Sequence, residues 1–78
     1  MMTTAEIKED IQQRKIYAKA QGLSYIVLRS GDIHKDLKLK NRMPSVCSAM
    51  YQMMMTGDKI LHTTPSGRSS TIEIQYYL

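Results

Sequence analysis

Ser30–Met55, SGDIHKDLKLKNRMPSVCSAMYQMMM, is the segment around which the rest of the chain can be placed. In its first part Ile33 and Leu37 are four residues apart and Leu39 follows, which predicts a short helix over 31–38 with one apolar face. In its second part Val46, Cys47, Met50, Met53 and Met54 recur at the helical period, which predicts a second helix over 44–55. The opposite side of that helix carries Ser45, Ser48 and Gln52, and Ala49 adds a further small residue. Between the two helices the chain is basic and polar, with Lys38, Lys40, Asn41 and Arg42, and Asn41-Arg42-Met43 is expected to form the turn. Pro44 suits the first position of the second helix, where its missing N–H costs nothing. Ser30 is expected to cap the first helix, with Asp32 in its first turn, and Gly57 to end the second. Three successive methionines cannot all face inward, so Met55 is expected outside the apolar stripe.

Toward the N-terminus, Tyr25-Ile26-Val27-Leu28 is short, β-branched and aromatic, and lies between Gly22 and Gly31. That composition predicts a strand over 25–28. Before it, residues 3–21 read as a helix. Thr3 with Glu6 three positions on has the form of a capping box, and Gly22 supplies the stop. Ile7, Ile11 and Ala18 share one face of this helix, whereas Ile16 and Ala20 lie nearly opposite. A helix with two apolar faces is expected to meet a second element with each, and one such element is another copy of the chain.

Toward the C-terminus the apolar period changes from 3.6 to two. A hairpin is expected over 59–78, with one strand from Lys59 to Thr64 and another from Ser70 to Leu78. Ile72, Ile74, Tyr76 and Leu78 occupy one face of the second strand. Thr64-Pro65-Ser66-Gly67 suits a type I turn, and Arg68 stands at its tip. The strand over 25–28 has no sequence neighbour, so it is expected to join the hairpin as a third strand.

Composition bounds what such a chain can be. Seventy-eight residues make one domain, 1–78, without Phe or Trp for its core. The one cysteine, Cys47, excludes an internal disulfide, and no apolar run approaches the length of a membrane helix, so a cytoplasmic location is expected. The net charge of +4 is concentrated. Residues 22–57 hold five basic groups against two acidic, whereas residues 58–78 hold two of each. The excess therefore gathers around the two central helices.

The order helix, strand, helix, helix, strand, strand, with the spacing Ile33, Leu37, Leu39, Val46, Met50, resembles the winged helix family, a helix-turn-helix followed by a β-hairpin wing. The likeness spans nearly the whole chain. One departure is the interval from Leu39 to Val46, seven residues, which makes a longer turn than the family's usual one. The string NRMPSVCSAM also resembles small prokaryotic domains of restriction or mobile-element systems. The resemblance implies an α+β fold with a three-helix core, a small antiparallel sheet, and double-stranded DNA as partner. It implies that the helix over 44–55 is the recognition helix. Ser45, Ser48 and Gln52 would then face base edges, with Lys38, Lys40, Asn41, Arg42 and Arg68 on phosphates or bases. A homodimer formed through the first helix, acting as a transcriptional regulator or accessory factor, is the expected form. The alternative use of the same scaffold is protein–protein assembly without DNA, which would place apolar exposure, not charge, around Ser45, Ser48 and Gln52.

No enzymatic reading competes. Cys47 lies on the apolar side of its helix, where a buried, inert thiol is expected. His34 and His62 stand apart from any second ligand at metal spacing, and the chain has no glycine-rich phosphate loop. Neither a cofactor, a metal nor a small-molecule ligand is expected.

Overall fold

The computed structural model describes residues 2–78. Three helices, α1 (Thr4–Ala20), α2 (Ser30–Asp36) and α3 (Met43–Gln52), pack with three strands, β1 (Tyr25–Arg29), β2 (Lys59–His62) and β3 (Glu73–Tyr77). The strands form one antiparallel sheet in the order β1-β3-β2. The chain is thus a small α+β domain, with the early strand joined to the outside of the later pair as its patterning predicts.

Helix α1 is closed at both ends by local chemistry. The Thr3 hydroxyl accepts from the Glu6 N–H at 3.2 Å while the Glu6 carboxylate accepts from the Thr3 N–H at 3.0 Å. These bonds hold the Glu6 carboxyl below its ordinary range, the backbone bond from Thr3 contributing most. At the other end Gly22 takes φ +86, and the Leu23 N–H reaches back to the Ala18 carbonyl. A left-handed residue followed by that bond is the Schellman closure, which glycine allows without strain.

Ile7 and Ile11 of α1, Leu28, Ile33, Val46, Cys47, Ala49, Met50, Ile72, Ile74 and Tyr76 form one buried cluster. Leu37, Leu39, Met53 and Met54 lie against its margin. Tyr76 takes the place a phenylalanine would fill elsewhere, and its hydroxyl donates to the Met50 carbonyl at 2.7 Å. Burial, with the charge of Asp58 a lesser cause, pushes its phenol well above the ordinary range. Lys15 of α1 is almost fully buried, its Nζ 5.4 Å from the centre of the Tyr76 ring. A cation at that distance is attracted by the ring face, and this lets a lysine occupy a position on the inward face that α1 shares with Ile7, Ile11 and Ala18. Ile16, on the opposite face, is 51% exposed, and Met55 is exposed as its position in the methionine run predicts.

Several element boundaries differ from the sequence reading. Helix α2 starts at Ser30 itself, with Arg29 in the capping position, so Ser30 is not the cap. Its hydroxyl instead donates to the Ser69 carbonyl and accepts from the Ile72 N–H. Helix α2 ends at Asp36, earlier than 38, because Lys38 turns left-handed at φ +54. Helix α3 runs over 43–52, one residue earlier at its start and three shorter at its end than the expected 44–55. Its final N–H groups close early, Met54 onto Tyr51, and the Asp58 carboxylate then captures the Met55 N–H at 2.9 Å. Gly57, at φ +96, belongs to that following turn and does not terminate the helix.

The hairpin is also shorter than 59–78. Strand β2 stops after a register irregularity between Ile60 and His62, and β3 begins only at Glu73. Residues 69–72 have another partner, the start of α2. Gly31 N–H donates to the Ser70 carbonyl and Ser30 N–H to the Ile72 carbonyl, both at 2.9 Å. The expected turn survives inside the connection, where Gly67 N–H closes onto the Thr64 carbonyl. Residues 63–72 thus form a loop held down on the helices.

Candidate nucleic-acid interface

The site is built on α3. Val46, Cys47, Ala49 and Met50 are buried beneath it, which turns Ser45, Ser48 and Gln52 outward. Ala49 therefore belongs to the core and is unavailable to the outer face, contrary to the sequence reading, because positions 46, 47, 49 and 50 together fill the space under so short a helix.

Gln52 is held from both sides. Its Nε2 donates to the Ser48 Oγ at 3.0 Å, and its Oε1 accepts from the Lys8 Nζ at 3.3 Å. A carboxamide fixed in this way still offers one N–H and one lone pair to the outside, the donor–acceptor couple that matches the major-groove edge of adenine. Lys8 is on α1, forty-four residues away in sequence. Nothing in its local spacing marks it, since only the packing of α1 on α3 brings it here.

The turn before α3 presents Lys38, Lys40 and Asn41 as exposed side chains. Asn41 takes φ +53, a conformation that asparagine tolerates better than most residues, so its place in the turn has a backbone reason as well. Arg42 is less free than expected. Its Nε donates to the Ser45 Oγ at 3.4 Å, its backbone N–H donates to the His34 Nε2, and its Nη1 is buried without a hydrogen-bond partner among the described residues. The Ser45 hydroxyl is thereby engaged by Arg42.

Arg68 is carried to the flank of α3 by the connection 63–72. The Tyr51 hydroxyl donates to the Gly67 carbonyl at 2.8 Å, and the Cys47 thiol donates to the Ser69 carbonyl at 3.4 Å. Gly67, at φ +67, sits 3.5 Å beneath the Tyr51 hydroxyl, measured from where a Cβ would stand. The Cys47 thiol is buried, and burial pushes it above its ordinary range despite the nearby Ser30 and Arg68. It packs in the core and anchors residue 69 to α3.

The arrangement brings together Arg42 with Ser45, and Gln52 with Ser48 and Lys8. It places Arg68 beside the same helix and leaves Lys38, Lys40 and Asn41 free in the turn. None of the large exposed apolar side chains belongs to α3 or to that turn. Among the described residues no three His, Cys, Asp or Glu side chains gather closely enough to hold a metal ion, and no helix is long and apolar enough to cross a membrane. Comparison with protein families, curated proteins and solved structures finds no match to this chain.

Proposed function

We propose that the protein binds double-stranded DNA as a winged helix domain, with α3 in the major groove and the connection 63–72 in the role of the wing, and that it acts as a transcriptional regulator or accessory DNA-binding factor. One observation carries this reading. The outer side of α3 is polar and is flanked by cations from separate segments, Lys8 from α1, Lys38, Lys40 and Arg42 from the turn, and Arg68 from the loop. Cations placed so would meet phosphates on either side of the groove, and the Gln52 amide would meet a base edge between them. The element order and the three-stranded antiparallel sheet support the same reading. Use of α3 for protein assembly would need apolar exposure on this face, and the large exposed apolar residues lie outside α3, with Met55 three residues past its end.

The test is anisotropy of a labelled random-sequence duplex titrated with protein at several salt concentrations. Affinity should fall steeply with salt, and Arg68→Ala should weaken binding to all sequences while lowering the salt slope by about one. Absence of binding at low salt would overturn the proposal.

A further inference from the structure

We propose that the free edge of β1 pairs antiparallel with β1 of a second copy of this chain, about a two-fold axis at Val27. This inference stands apart from the DNA reading and would hold without it.

The geometry starts from the ladder. Leu78 N–H donates to the Ser24 carbonyl, and Ser30 N–H to the Ile72 carbonyl. In an antiparallel ladder the bonded residues alternate, so residues 24, 26, 28 and 30 turn their backbone groups toward β3. Tyr25 and Val27 then turn N–H and C=O outward, and Arg29 turns its N–H outward, its C=O belonging to the N-cap of α2. Among the described residues no hydrogen bond outside the ladder ends on the Tyr25 and Val27 groups or on the Arg29 N–H. Tyr25 and Arg29 are placed symmetrically about Val27. A second copy laid antiparallel on this edge sets Val27 against Val27, that pair exchanging both bonds, and Tyr25 against Arg29, where each Arg29 N–H donates to a Tyr25 carbonyl.

The side chains suit the same partner. Tyr25 and Val27 are 49% and 42% exposed on the outer face of the sheet, where an apolar contact forms on the axis and an Arg29 guanidinium faces a Tyr25 ring on each side of it. On the inner face an open groove of about 470 Å³ runs between α1 and β1, with Tyr17, Ala18, Leu23, Ile26 and Leu28 among its lining. Arg14 on the groove lip is held by Asp10 at 2.6 Å and Asp36 at 3.2 Å, and Arg29 stands opposite Glu73 in register. The two-fold sets the two Arg29 residues at opposite ends of the paired edge, so two copies of a chain of net charge +4 can meet here without laying these cations side by side. The other edge of the sheet is guarded. Strand β2 has only four residues, carries Lys59 and His62, and has a register irregularity, the features that discourage edge pairing. Strand β1 has no proline, lysine or bulge.

Because the Val27 N–H points away from β3, Val27→Pro removes an edge donor without breaking the ladder. Sedimentation velocity over a range of concentrations should show the parent passing from monomer to dimer. Val27→Pro should weaken that association at least about tenfold, with an unchanged circular dichroism spectrum. Val27→Lys, which places like charges on the axis and leaves the backbone as it is, serves if the proline variant does not fold. Hydrogen exchange gives a reading that fold damage cannot imitate. The Val27 amide should slow as the parent concentration rises, while the Leu28 amide, bonded to β3, should be slow throughout. A parent that stays monomeric, or variants that associate like the parent, would overturn the proposal. So would a Val27 amide protected only when a different protein is added.

Discussion

The outer side of α3 and the edge of β1 are both left open by the same core, yet their chemistry is opposite. On α3 the outward groups are small and polar, the nearby cations Lys8, Lys38, Lys40 and Arg68 outnumber local acids, and side-chain hydrogen bonds fix a carboxamide. Along β1 the outward side chains are Tyr25, Val27 and Arg29, the neighbouring Arg14 is paired with Asp10 and Asp36, and what remains unsatisfied is backbone. A surface of unmatched cations suits a polyanion, because charge neutralisation and counterion release supply the affinity. A surface of free strand groups suits another strand, because pairing completes bonds that the sheet leaves open. One small domain can thus separate two partners by the kind of group each surface leaves without a mate.

The largest effect should come from Gly31→Ala, which separates the two regions. A Cβ there would stand 2.7 Å from the Ser70 carbonyl oxygen, a backbone atom that cannot move without releasing residues 69–72. The cost should be about 1–3 kcal/mol in urea unfolding. The loop that carries Arg68 should shift as well, so DNA affinity should fall while self-association through β1 persists. Equal loss of both would show that the two surfaces are not independent.

A second effect joins the regions. Tyr76 pairs with Ile26 of β1 and donates to the Met50 carbonyl of α3, so it ties the edge strand to the candidate interface. Burial keeps its phenol neutral well above the pH at which an exposed tyrosine ionises. A group with a raised folded-state value contributes stability that is complete below the unfolded value and is lost as pH rises through the folded one. Thermal unfolding at successive alkaline pH values should therefore show stability falling above about pH 10, by on the order of 1 kcal/mol per pH unit. Tyr76→Phe should remove that alkaline slope.

The smallest effect should refine the account of α3 alone. Lys8→Met removes one of the two restraints on the Gln52 amide. It should lower discrimination at a single base pair by less than about 1 kcal/mol in competition binding, with no change in the sedimentation of the free protein. Gln52→Ala should give a larger loss at that same base pair.

Much of this arrangement can be read from local signals. The Thr3/Glu6 box, Gly22 after α1, the apolar spacing from Ile33 to Met50 and the alternation from Ile72 to Tyr76 each concern residues close in sequence, and an element forms at each, although α2, α3 and β3 are shorter than their patterns. The misreadings share a cause. Ser30 has the chemistry of a cap, yet its hydroxyl serves residues 69 and 72, about forty positions on. Gly57 has the chemistry of a helix stop, yet Asp58 captures the chain first. Ser70 to Ile72 alternate like a strand, yet the start of α2 takes their carbonyls. Within the candidate interface, Ser48 and Gln52 are legible from helical spacing, whereas Lys8 and the partial burial of Arg42 are not.

Element order, the inward faces of α3 and β3, and the concentration of positive charge around the turn were all present in the linear chain, because they follow from periods of two and 3.6 and from composition. Folding added the rest: which polar groups are already engaged, where residues 63–72 lie, that Lys8 meets Gln52, and that β1 and β2 end up at opposite edges of the sheet. Each of those outcomes depends on a hydrogen bond or contact between residues far apart along the chain. Local propensity carries no information about such pairs until the core brings them together.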